Sequence, residues 1–169
     1  LTEEHWREIT PEEFESLAKS LLQVMHPNQV FHSTGRSWDG NKDITADIPV
    51  LDFGKVDIWF ECKKQKERLA MHDVAMTFLM AYIHDCNKLA IFSYSPVNRR
   101  FRRYIADYKE RRGKNTEVKI YDDRALEDLI FRCRDTQQDL AQAKRLFDFD
   151  HFFPNYQDRP PLSKTKTFN

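Results

Sequence analysis

The stretch VDIWFECKKQ, Val56 to Gln65, decides how this chain is read. Its first residues are largely β-branched or aromatic, the composition of a strand. Its end carries Glu61, Lys63, Lys64 and Gln65, and a buried strand does not hold bare charge without a reason. Strand side chains alternate between the two faces of a sheet. Val56, Ile58, Phe60 and Cys62 therefore share one face, and Trp59, Glu61, Lys63 and Gln65 share the other. Glu61 and Lys63 project to the same side, roughly 7 Å apart along the strand. They form either an ordinary polar strand end with a surface ion pair or a site.

The preceding stretch, DITADIPV (Asp43 to Val50), alternates as well. Ile44, Ala46 and Ile48 take one face, and Asp43, Thr45 and Asp47 the other. LDFGK then turns the chain, so the two strands pair as a hairpin. That pairing brings Asp43 toward the face of Glu61 and Lys63, with Asp47 as a competing carboxylate. Asp57 shares Glu61's face but lies four residues earlier, and is read as solvated. Two carboxylates and a lysine on one side have a chemical logic. Mg²⁺ takes oxygen ligands and keeps several waters. Asp43, Glu61 and the backbone carbonyl of Cys62 are the candidate ligands. A metal there lowers the pKa of a bound water and offsets charge building on a phosphate. Lys63 beside it holds or helps deprotonate the attacking water, or stabilises the phosphorane. Phosphodiester hydrolysis requires those parts.

Upstream, Thr10-Pro11-Glu12-Glu13 opens a helix with a capping box and proline at the first position. Phe14, Leu17, Ala18, Leu21, Leu22 and Met25 follow at helical spacing until Pro27. Glu15 sits at the margin of that stripe, where it either reaches inward to a shared site or extends to water. QVFHSTG reads as a short first strand. Downstream, Leu69 to Cys86 is helical, KLAIFSYS is a strand covered on both faces, Val97 to Arg112 is a basic helix stopped by Gly113, TEVKIYD is a strand, and Ala125 to about Phe147 is a long helix. The order α-β-β-β-α-β-α-β-α implies an α/β fold: a mixed five-stranded sheet flanked by helices on both faces. Residues 1–150 are expected to form one domain. Residues 151–169, rich in proline and without periodicity, are expected to be a linker or C-terminal extension, which suggests a piece of something longer.

Composition narrows the class. A chain of 169 residues favours one domain, and 32% charged residues describe a soluble globule. No apolar run reaches the ~18 residues of a membrane span, and LTEEHWREIT lacks the features of a secretory signal. Cys62, Cys86 and Cys133 form no CxxC pair and are read as reduced thiols, consistent with a cytoplasmic protein. The zero net charge hides segregation: Arg99 to Lys114 holds eight Lys/Arg against Asp107 and Glu110, so 8 − 2 gives +6.

An Asp, a spacer of this length, then Glu-x-Lys on the next strand resembles the PD-(D/E)xK nuclease superfamily. Here the elements are Asp43 and Glu61-Cys62-Lys63. The branch it resembles is the Mrr-like restriction endonuclease domain, on Thr34-Gly35, Asp39-Gly40-Asn41-Lys42-Asp43, Glu15 and Gln65. Lys42 and Asn41 depart from the branch pattern, which has a small or apolar residue and a second glycine at those positions. The likeness covers Thr10 to about Phe131. It implies a restriction-endonuclease-like αβββαβα core with an added βα. It also implies an endodeoxyribonuclease dependent on Mg²⁺ or Mn²⁺, with Glu15 and Gln65 supporting Asp43, Glu61 and Lys63. DNA is the expected substrate and RNA the second. The likeness further implies an effector domain in bacterial restriction or antiphage defence, a sensor or NTPase module outside this chain, and a homodimer or higher oligomer.

Lys64, Trp38, Arg99, Arg100, Arg102 and Arg103 are the candidate nucleic-acid contacts. The lysine and arginines would bind phosphates and the tryptophan would stack on a base. The bland reading is a solvated lysine, a packed tryptophan and an amphipathic helix with its arginines in water. The competing function is a nucleic-acid-binding or assembly module that keeps the fold and lacks the chemistry.

Overall fold

The computed structural model describes residues 1–34, 43–49, 55–113, 115–138 and 146–157, with the backbone alone at 47–49, 55, 56 and 138. Its elements in chain order are α1 (Glu3–Glu8), α2 (Pro11–Met25), β1 (His32–Ser33), β2 (Ile44–Pro49), β3 (Lys55–Lys63), α3 (Met71–Ile83), β4 (Lys88–Ser93), α4 (Arg99–Arg112), β5 (Glu117–Asp122), α5 (Asp123–Gln138) and α6 (Phe149–Phe152). The five strands form one sheet in the order β1-β2-β3-β4-β5. The first three are antiparallel, and β3, β4 and β5 are parallel. This is the mixed sheet expected from the hairpin start and the later βαβα units.

Period two on β3 divides the protein into two cores. Phe60 and Cys62 join Ile44, Ala46, Ala90 and Phe92 under α2 and α5, where Leu17, Leu21, Leu126 and Ile130 pack. Trp59 faces the other way, with Leu89, Ile91 and Val118, under Val74 and Phe78 of α3 and Phe101 and Ile105 of α4. The unbroken apolar run of β4 is explained by the same division, since it is covered on both faces.

α2 starts where its sequence says. Thr10 Oγ1 accepts the Glu13 N–H at 3.2 Å, and the Glu13 carboxylate accepts the Thr10 N–H at 2.6 Å. Thr10→Ala removes one half of this box and is expected to cost about 1 kcal/mol in urea unfolding. An unchanged midpoint would mean the cap contributes nothing. At the end of α4, Gly113 has φ +94° and its N–H donates to the Lys109 carbonyl, the backbone geometry that favours glycine.

The structure differs from expectation in β1 and at the start of α3. β1 is two residues long because it sits at the sheet edge and pairs with β2 alone. α3 begins at Met71 because Leu69 instead bridges Val97 in parallel, and Asp73 accepts the Ala70 N–H at 2.7 Å. Of the extension expected from 151 onward, residues 151–157 are described, and they pack on the core. Phe153 is 2% exposed and Tyr156 lies on Phe149 and Phe131. The sequence patterns announce neither α1 nor α6. Trp6 packs on Tyr94 and Phe153, which fixes α1 to the sheet and to the C-terminal segment. On the outer surface, α3 exposes Met76, Leu79, Tyr82 and Ile83. Among the described residues, no helix is long and apolar enough to cross a membrane.

Candidate active site

β3 and β4 run in register to Lys63 and Ser93. β2 begins at Ile44, which pairs with Phe60. One step beyond that ladder, the register sets Asp43 across from Glu61. Asp47 pairs with Asp57 instead, four residues along the strand from Asp43, so the register selects Asp43 as Glu61's neighbour. Asp57 is exposed, as its position suggests.

The Asp43 N–H donates to the Phe60 carbonyl at 2.9 Å, and its carboxylate accepts the Cys62 N–H at 2.6 Å. Strand residues two apart direct their backbone groups to the same edge. The Cys62 carbonyl therefore faces the edge that Asp43 occupies.

Glu61 is 1% exposed. One of its oxygens pairs with Lys63 Nζ, and the other accepts from Thr77 Oγ1 at 2.9 Å. Burial and the neighbouring Asp43 charge push the Glu61 carboxyl up to about 7, against the pull of Lys63 and Thr77. Burial also raises Asp43, opposed by the Cys62 N–H and Lys63. Burial alone would lower the Lys63 ammonium, but Glu61, then Asp43 and Asp73, hold it above its ordinary value. Ionised, the trio carries two negative charges and one positive in a largely dry place. Its net charge is then −1 (one positive against two negative).

Glu15 is half-buried on α2. It lies near enough to act on the Cys62 thiol, which burial raises well above the usual range with added push from Asp43, Glu61 and Glu15. It thus approaches from the core face of β3. Gln65 turns away from Glu61: its amide donates to Asp73 Oδ2 at 2.9 Å, and its carbonyl accepts from Ser95 Oγ. Lys64 lies on the α2 side, where its charge reaches Glu13. Trp38 lies outside the described residues. Arg99, Arg100 and Arg103 are exposed at the start of α4. Arg102 donates to the buried Asp122 at 2.6 Å and ties α4 to β5.

Two contributors escape a reading of the sequence. Thr77, fully buried, sits on α3 and donates to Glu61. Asp73, at the start of α3, joins Gln65 to the Ala70 N–H. Burial would raise the Asp73 carboxyl, but those two donors hold it below its ordinary value. The available signal for Thr77 is a hydroxyl inside the otherwise apolar run MHDVAMTFLMAYI.

The donor set fits one class of metal. Among the described residues, no third His, Cys, Asp or Glu side chain completes a metal-ligating cluster. Two carboxylates and a backbone carbonyl are oxygen donors, which suit a hard cation such as Mg²⁺ that binds through one or two carboxylates and keeps several waters. Each Glu61 oxygen retains a lone pair beyond its present partner.

A family described as restriction endonuclease (Mrr_cat) matches residues 6–130. The chain belongs to the Mrr_cat restriction endonuclease family. Residues 6–130 run from within α1 to the middle of α5, so the family assignment takes in the whole sheet. Two solved structures share the fold. The DNA modification-dependent restriction endonuclease AspBHI aligns with a TM-score of 0.56 at 17% identity, over 78% of this chain and 33% of its own. MspJI restriction endonuclease, in complex with a 27-mer oligonucleotide, aligns with a TM-score of 0.51 at 15% identity, over 89% of this chain and 31% of its own. This Mrr_cat chain therefore spans about a third of the length of each. No match was found among curated proteins.

Proposed function

We propose that the chain is a nuclease domain that hydrolyses phosphodiester bonds of DNA with Mg²⁺ or Mn²⁺. The observation that carries this reading is the Asp43 carboxylate on the Cys62 N–H, next to buried Glu61 with Lys63 paired to it. Asp43, Glu61 and the Cys62 carbonyl would hold the ion. When bound, it supplies a water of lowered pKa and a counter-charge for the phosphate. Lys63 orients that water beside the scissile phosphate. Glu15 adds negative charge beside Cys62, and Gln65 fixes the end of β3 to α3 through Asp73. Lys64, Trp38 and the exposed arginines of α4 would meet the nucleic acid. The two structural neighbours, a DNA modification-dependent enzyme and an enzyme bound to an oligonucleotide, support DNA as the substrate.

Cutting both strands of a duplex calls for two sites, so a homodimer or higher oligomer is the working assembly. The apolar outer face of α3 supports it. The role we infer is that of a cytoplasmic effector in restriction or antiphage defence, switched by a sensor or NTPase module outside this chain.

The test is cleavage of plasmid, single-stranded DNA and RNA with Mg²⁺, Mn²⁺ or EDTA. Metal-dependent loss of supercoiled plasmid is the expected result. Binding without cleavage under every metal would leave the alternative, a nucleic-acid-binding or assembly module. Thr77→Val removes the hydroxyl donor of Glu61 while keeping its volume. Metal affinity by calorimetry is then expected to fall about 10- to 100-fold, and equal affinity would make Thr77 a packing residue only.

A further inference from the structure

Arg68, Asn98, Arg99, Arg100 and Arg103 line a single cavity of about 540 Å³. Four arginines from two segments of the chain therefore border one space. Their convergence is not a local accident of α4. Arg68 arrives on the segment after β3, and the Leu69–Val97 bridge brings it there, with the Asn98 N–H donating to the Leu69 carbonyl at 2.8 Å. A segment that follows the active-site strand is thus stitched to the start of α4.

Among the described residues some arginines are paired, and others, such as Arg111 and Arg124, form no ion pair. Arg102 pairs with Asp122, Arg112 with Asp85, Arg7 with Glu3 and Arg134 with Asp135. Among the described residues, no ion pair or side-chain hydrogen bond is formed by Arg68, Arg99, Arg100 or Arg103. Four like charges without an ion-pair partner around one space favour an anion there. The planar, multi-donor guanidinium matches phosphate oxygens in particular. Asn98 already accepts the Arg100 N–H at 2.7 Å, so the cavity's character comes from its arginines rather than from a free helix end.

The cavity is also close to the candidate site. Arg68 follows Lys63 by five residues, a reach of at most about 17 Å. A nucleic-acid strand rises about 3.4 Å per phosphate along its axis, so the two places fall within about five nucleotides.

We propose that the Arg68–Arg99–Arg100–Arg103 cavity binds a backbone phosphate of the nucleic-acid strand within about five nucleotides of the phosphodiester at Lys63. The inference rests on the nuclease reading and adds a non-scissile phosphate site to it. Such a site carries no base information, so it sets the register of the strand rather than its sequence.

The experiment measures binding of a labelled duplex in EDTA, without cleavage, across a range of salt concentrations. It compares wild type, Arg68→Ala/Arg100→Ala, and Arg111→Ala. Arg111 is exposed near the far end of the same helix and controls for loss of positive charge. The double variant is expected to weaken binding to all sequences and to lower the slope of log K against log salt by about 0.9 for each phosphate it no longer neutralises. Its thermal midpoint should equal that of wild type, since no ion pair is broken. A slope equal to that of Arg111→Ala overturns the inference and leaves the nuclease reading intact if wild type still cleaves with metal. Failure of wild type to bind any duplex overturns the inference, and failure also to cleave any substrate with metal overturns the nuclease reading. Calorimetric titration with inorganic phosphate separates the remaining source. Saturation by free phosphate with an unchanged duplex slope assigns the cavity to a small anion and removes the strand from it.

Discussion

Lys63→Ala is expected to slow metal-dependent cleavage by about 10²- to 10⁴-fold, the range that a positioned proton-transfer group or charge donor supplies. The position of the ammonium accounts for this. Lys63 is part-buried, paired to Glu61, and held charged by Glu61, Asp43 and Asp73. Removing it takes the positive side chain from a place that already contains two carboxylates. A divalent cation would meet less repulsion in the variant, so metal affinity by calorimetry should hold or rise while the rate falls. That opposite movement separates loss of chemistry from collapse of the site, since a collapsed site loses both. Glu61 in the variant stays beside Thr77, and its carboxyl can remain protonated up to a higher pH, so the fold should persist. A cleavage rate within about threefold of wild type, well short of the range for a positioned group, would remove Lys63 from the chemistry. Weaker metal binding and a lost melting transition together would show a structural lysine.

The elements that hold Glu61 and Lys63 are legible in the sequence because their geometry is local. Alternation on VDIWFECKKQ separates Phe60 and Cys62 from Trp59, Glu61 and Lys63, and the two cores follow that division. The choice between Asp43 and Asp47 is different, because it depends on register, and a slip of a few residues along the ladder exchanges them. Thr77 and Asp73 are hidden for another reason. The phase of α3 against the sheet is set by packing of Val74 and Phe78, and nothing in the helix sequence alone states it. Alternation would place Gln65 on Glu61's face, but the chain leaves β3 at Lys63, so the period of two no longer governs it. α1 and α6 have six and four residues, too short to stand as helices without tertiary contacts. Trp6 and Phe149 supply those contacts from the far ends of the chain. Arg68 joins the arginines of α4 only through a bridge between residues 28 positions apart (97 − 69).

The metal-free protein is expected to lose about 3 kcal/mol of stability as pH rises from about 4.5 to about 7. Glu61 carries this effect. Its carboxyl lies at about 7 in the folded chain against 4.5 for the unfolded group, through burial and then Asp43. Between those values the native state binds the proton and the unfolded state does not. Stability therefore falls with pH, and the contribution is fully present below the unfolded value. Asp43 is also raised, so it acts in the same direction. The lowered carboxyls, Glu3, Glu13, Asp73 and Glu117, add stability that is lost only as pH falls below the ordinary carboxylate range, outside this window. Lys63 is raised above its ordinary value, and its share is lost only in strongly alkaline solution. Urea unfolding in EDTA on either side of this interval, at about pH 5 and about pH 8, measures the difference. Glu61→Gln keeps the shape and an acceptor for Thr77 but cannot ionise, so its stability should be nearly flat across the interval and above that of wild type at the alkaline end. The same variant should not cleave. Added Mg²⁺ should restore wild type there, because it binds the ionised pair, and should leave Glu61→Gln unmoved. A wild-type protein equally stable at both ends without metal would mean that Glu61 stays ionised throughout. Its charge would then be held by Lys63 alone, as a structural ion pair with no need of a cation.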